Sequence, residues 1–131
     1  MKVIFSFLFA AMCCVSSDAQ TLVQFCPAVH ENNCVFGNTK FIAQKDSLRS
    51  MMYIYIQNDN GFGSSKLVYR VFEKNSDGSD KLIQTFEQFV QQDWVKAWTP
   101  YYFPSPAKYK VEISNEANEA MGSNTFELIS F

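Results

Sequence analysis

Apolar and polar residues alternate with period two along most of this chain, in short runs separated by turn-forming residues. The most regular run is 108–114, where Tyr109, Val111 and Ile113 alternate with Lys108, Lys110, Glu112 and Ser114. One face of an antiparallel sheet resting on a core has this pattern, so the run predicts a central strand with Tyr109, Val111 and Ile113 inward and the polar residues in water. Residues 51–57 alternate Tyr with Ile. They predict a second strand with Ile54 and Ile56 inward, leaving Tyr53 and Tyr55 outward beside residues such as Arg70. In 66–73, Leu67, Tyr69 and Val71 are expected inward and Arg70 outward. The alternation in 82–90 is imperfect, so a strand is predicted there with a helix over 81–91 as the alternative. A last strand is expected over 125–131, with Phe126 and Leu128 inward.

The breaks between runs fit the same picture. Asp77-Gly78 within 75–80 is a hairpin signal, and the loop 58–65 carries Gly61 and Gly63, which are free to take positive φ. Pro104 and Pro106 end the aromatic run 94–103. Inside that run Pro100 cannot donate to a ladder, which predicts a strand at a sheet edge or bent there. At the other end, 22–25 begins extended, Pro27 and the polar run 30–33 interrupt it, and Phe36 and 41–43 resume it. This predicts a first strand in two pieces, as where an edge strand switches partners. Seven short strands with turns between them predict an all-β fold, a two-sheet antiparallel sandwich.

Tyr109, Lys110, Val111, Glu112 and Ile113 carry a resemblance to immunoglobulin-like and fibronectin type III-like β-sandwich domains. In those folds the penultimate strand opens with a buried Tyr whose hydroxyl bonds upstream backbone, and Tyr109 stands at that place. The chain departs from true immunoglobulin domains where Val111 replaces the second intersheet cysteine, and 51–57 holds no partner cysteine. The resemblance implies the fold and, loosely, recognition or adhesion.

The first residues read differently from the rest. Lys2 precedes an apolar run over 3–15, followed by Ser16, Ser17, Asp18 and Ala19. This is the pattern of a secretory signal peptide over 1–19, too short for a membrane span, and it leaves one sandwich domain over 20–131. Cys13 and Cys14 raise a lipoprotein alternative, but Met12 precedes Cys13 where a small residue is wanted. The expected location is therefore extracytoplasmic, secreted or periplasmic. The chain carries 11 Lys and Arg against 13 Asp and Glu. With the basic residues spread along the strands, nucleic acid is not an expected partner. Cys26 and Cys34 remain beyond the leader, and a disulfide between them would close a nine-residue loop, worth about 2.5 kcal/mol in the chain-entropy model.

Few residues offer chemistry. His30 is the single histidine, so no acid–base or nucleophilic set assembles except through it, and no enzyme and no cofactor is expected. Cys26, His30 and Cys34 lack a fourth ligand for zinc, and Asn75, Asp77 and Asp80 lack the bidentate acid of a calcium loop, so no metal is expected either. The aromatic run is the exception. Trp94, Lys96 and Trp98 share one parity, and Tyr101 and Tyr102 follow. Facing water, the two indoles would form a flat platform for a sugar ring or a protein partner; facing inward, they would be core fillers, which a small sandwich needs. The functions in play are a non-enzymatic recognition or adhesion module for a protein or glycan, a carbohydrate-binding domain using these aromatics, and a secreted protein inhibitor.

Overall fold

The computed structural model describes residues 21–42 and 50–129. In chain order the strands are β1 (Thr21–Cys26), β2 (Ala28–His30), β3 (Asn33–Val35), β4 (Lys40–Ile42), β5 (Ser50–Asn58), β6 (Lys66–Lys74), β7 (Asp80–Phe89), β8 (Lys96–Phe103), β9 (Ala107–Asn115) and β10 (Ala120–Ile129). Strands β1-β5-β8 form one sheet and β4-β10-β9-β6-β7 the other, while β2 and β3 make a separate hairpin. All pairings are antiparallel except β4 with β10. The expected two-sheet sandwich is present. The first strand is split as predicted, since β1 joins the smaller sheet and β4 the larger. Counting β1 and β4 as that one strand leaves the seven expected, with the β2–β3 hairpin added. The predicted leader lies outside the described residues, as do Ala43 and the last two residues of the chain.

Alternation fixes the core because each strand has one buried face. Tyr109, Val111 and Ile113 of β9, Leu67, Tyr69 and Val71 of β6, and Ile54 and Ile56 of β5 are fully buried, with Phe126 and Leu128 of β10 nearly so. Phe25, Phe103, Tyr109 and Phe126 pack ring on ring, with centroids 4.5 Å apart for Phe25–Phe126 and 4.7 Å for Phe103–Phe126. Aromatic groups bury the largest areas, so this cluster carries much of the hydrophobic stabilisation. The Tyr109 hydroxyl donates to the Ser105 carbonyl, and the Ser105 N–H donates back to it at 3.3 Å. This is the corner that the resemblance implied.

Three expectations change. Ser114 is buried rather than in water, because the Arg70 guanidinium on the adjacent strand lies over it and donates to its hydroxyl at 3.3 Å. Tyr53 and Tyr55 do not flank Arg70, which stands opposite Glu112 in the other sheet. The helix alternative over 81–91 gives way to β7. Its broken alternation has a local cause: Val71 pairs with Gln84 but Phe72 with Leu82, so Ile83 is an extra residue in a bulge. Ile83 packs on the core and Leu82 turns outward. Among the described residues there is no helix, hence none long and apolar enough to cross a membrane.

Two devices close the sides of the sandwich. On one side β10 passes close to β1 where its register slips between Ala120 and Gly122. A Cβ on Gly122 would come within 3.0 Å of side-chain carbons of Thr21 and Val23, so the close approach needs glycine. On the other side the edge strands β7 and β8 face each other through polar and aromatic groups. Tyr101 donates to the Gln84 side chain at 2.9 Å, Gln88 donates to the Trp98 carbonyl at 3.0 Å, and Phe86 stacks on Tyr101.

Candidate functional site: a groove between the hairpin and strand β8

With Ile54 and Ile56 inward, period two turns Tyr55 to the outside of the smaller sheet. Yet Tyr55 is only 1% exposed. The cover is the β2–β3 hairpin, whose Asn32 carbonyl accepts the Tyr55 hydroxyl at 2.8 Å. Burial pushes the Tyr55 phenol above its ordinary pKa. Beside it, Trp98 is the register partner of Tyr55 on β8, and the two rings stack with centroids 6.0 Å apart and planes 13° apart. Tyr55 therefore backs one face of Trp98. The other face looks toward the free edge of β8.

The polar run 30–33 that interrupts the first strand is the tip of this hairpin. His30 pairs with Asn33, so Glu31 and Asn32 are a two-residue loop, and both have positive φ (50° and 63°). That is the backbone of the tight turns whose twist matches a hairpin. Isolated two-stranded hairpins are marginal in water, so this one needs anchors. The Cys26–Cys34 disulfide ties it to β1, with Cα atoms 5.6 Å apart. The pairing of the two cysteines also closes the zinc alternative. Lys96 of β8 donates to the Asn33 side chain at 2.7 Å, a third link besides Tyr55.

Held upright in this way, the hairpin makes one wall of a groove of about 540 Å3, within the range of small-ligand clefts. Asn32 lines the hairpin side, Asp93, Trp94, Lys96 and Trp98 line the β8 side, and Gln88 lies at the edge of the larger sheet. Much of the backbone here is already committed. The carbonyls of Gln92, Trp94 and Val95 accept from Gly63, Phe62 and Asn58, and the Trp98 carbonyl accepts from Gln88. The side chains of Asp93 and Asn32 and both indole N–H groups, by contrast, have no hydrogen-bond partner among the described residues. The groove thus offers an acceptor, an amide and two indoles to whatever enters it.

The five residues expected to bind do not all meet. Trp94, Lys96 and Trp98 line the groove together. They form one side of a cleft, neither the flat platform of a solvent-facing parity nor core, because the hairpin rises beside them. Neither tryptophan fills the space between the sheets: Trp94 is 43% exposed, and Trp98 is half-buried against Tyr55 on the outer face. Tyr101 has the opposite parity and stacks between the sheets on Phe86 and against Phe103, where burial raises its phenol pKa. Tyr102 lies on the outer face but is exposed at the far end of β8, opposite Met51. His30 stays on the exposed hairpin, 3.8 Å from Glu31.

Two groups escaped the sequence reading, and a third was read only in part. Asn32 sits in a run that looked like a simple break. Asp93 looked like a turn residue before the aromatic run, although a carboxylate next to a tryptophan was a usable hint. Tyr55 was readable as an outward tyrosine on a face able to contact a partner, but not as buried, since the hairpin that covers it comes from 23 residues earlier.

No family model matches this chain, and none of the curated proteins does. Among solved structures it is similar to an immunoglobulin-like protein from Pseudomonas aeruginosa, at 10% sequence identity and a TM-score of 0.54. The likeness covers 82% of this chain and 92% of that one. At this identity it speaks to architecture alone, and with the strand order and the Tyr109 corner it makes the fold an immunoglobulin-like β-sandwich.

Proposed function

We propose that the protein is an exported, non-enzymatic recognition module that binds its target in the groove between the hairpin and β8. The observation that carries this reading is the position of both tryptophans. The chain has two, and both line one concave site instead of filling the core. Half-exposed indoles bordered by uncommitted polar groups suit binding, because aromatic anchors supply area and the polar groups fix orientation. Export is supported by the leader pattern of 1–19 and by a disulfide, the chemistry of an oxidising compartment. A binding role is favoured over catalysis because the single histidine lies on the exposed hairpin, where the charged group beside it among the described residues is Glu31.

Two measurements test this. Mass spectrometry of protein recovered outside the cytoplasm should give a chain that begins at Gln20 and carries the disulfide; a retained leader would contradict export. Collisional quenching by acrylamide should reach the fluorescence of both tryptophans, Trp94 more strongly. A pair shielded from quencher would remove the groove as a site.

A further inference from the structure

We infer that the ligand of this groove is a neutral carbohydrate, lying against the free face of Trp98 and hydrogen-bonded through its hydroxyls to Asp93 and Asn32. The inference rests on the reading of the groove as the binding site and adds the class of ligand.

The Trp98 carbonyl argues against the most common peptide mode beside that residue. A peptide that extends a sheet edge needs free backbone acceptors on that edge. At Trp98 that acceptor is taken by Gln88 of the other sheet. Beside Trp98, recognition therefore runs through side chains. The side chains available are two indoles, a carboxylate and an amide. A carboxylate accepts two hydrogen bonds side by side, which fits adjacent hydroxyls, and an amide both donates and accepts, as a hydroxyl does. The apolar C–H face of a pyranose matches the indole that Tyr55 holds flat from behind.

Charge narrows the class further. Lys96 keeps its charge while it donates to the neutral Asn33 side chain, so the one cation and the one carboxylate of the groove lining balance. A lining with no net charge matches an uncharged glycan, and a uronic-acid polymer would find no excess of cations to hold it.

Intrinsic fluorescence is a clean reporter, since both tryptophans of the chain lie in the groove. The experiment titrates the folded, oxidised protein with cello-, laminari-, manno- and chito-hexaoses, with a polygalacturonate hexamer and with a proline-rich decapeptide. At least one neutral hexaose should shift the emission and the polygalacturonate should not. The shift should weaken at least tenfold in Asp93→Asn and in Trp94→Ala, both at exposed positions whose loss leaves the core intact, and should persist in Tyr102→Ala. A response to the peptide alone overturns the carbohydrate assignment and leaves the groove as a site for another ligand. A hexaose that binds with equal affinity in Asp93→Asn and Trp94→Ala places the sugar elsewhere and overturns both readings. Silence toward every probe overturns the carbohydrate assignment.

Discussion

Tyr109 and Tyr55 are both buried tyrosines whose hydroxyls donate to backbone carbonyls, yet they lie on opposite sides of the sheets. Tyr109 points into the sandwich and closes a local corner at Ser105, four residues upstream. Tyr55 points out of the sandwich and reaches Asn32 on a hairpin 23 residues away. The first is architecture, because its ring packs on Phe103 and Phe126 in the shared core. The second supports the proposed binding site, since its ring backs Trp98 and its hydroxyl holds the wall opposite. The interior of this fold and its outer face are thus built by the same kind of contact for different ends, and perturbations should separate them.

Removing the disulfide should have the largest effect of those that divide the two regions. Cys26→Ala with Cys34→Ala should cost about 2–3 kcal/mol in chemical denaturation, the value of closing a short loop. Its local consequence is more telling. Amide exchange should rise across β2 and β3 while β9 and β10 keep their protection, because few other contacts hold the hairpin. Equal loss of protection in all four strands would mean that the hairpin and the core are one cooperative unit.

A finer comparison comes from the two hydroxyls. Tyr109→Phe and Tyr55→Phe should each cost about 1 kcal/mol, the usual worth of one buried hydrogen bond. They should differ in what else moves. Quenching of the tryptophans should stay unchanged in Tyr109→Phe and increase in Tyr55→Phe as the hairpin loosens. If both variants leave the quenching as it was, the Tyr55–Asn32 link does not hold the wall.

Below pH 10 a third perturbation should do nothing. Burial raises the phenol pKa of Tyr69, Tyr109, Tyr101 and Tyr55 above 10.0. A group whose pKa is higher folded than unfolded keeps its proton longer in the native state, so its contribution is full below the unfolded value and is lost as pH climbs through the folded one. Stability should therefore hold up to about pH 10 and decline above it, with phenolate absorbance from these rings appearing together with unfolding. Ionisation of Tyr69 well before unfolding would show that the interior admits water.

How much of this was legible follows from where each residue's neighbours come from. Tyr109, Val111, Ile113, Ile54 and Ile56 were readable because a strand's own alternation decides which face is buried. Pro100 marked β8 as an edge for an equally local reason. Tyr55 and Ser114 were not readable: alternation sends both outward, and a hairpin and an arginine from distant segments cover them. The aromatic run was half readable. Its composition pointed to Trp94, Lys96 and Trp98, but parity alone excluded neither core nor platform, and the groove exists only because Glu31 and Asn32 turn a hairpin up beside the strand.

The central claim is that function resides on the outer face and not in the core or at the exposed end of β8. The most direct test is an N–H NMR map of the oxidised protein with the best-binding neutral hexaose added. The indole N–H signals of Trp94 and Trp98 and the amides of Asp93 and Asn32 should shift together, while Tyr109, Val111 and Tyr102 stay in place. Shifts concentrated on Tyr102 or spread through β9, with the two indoles unmoved, would contradict it.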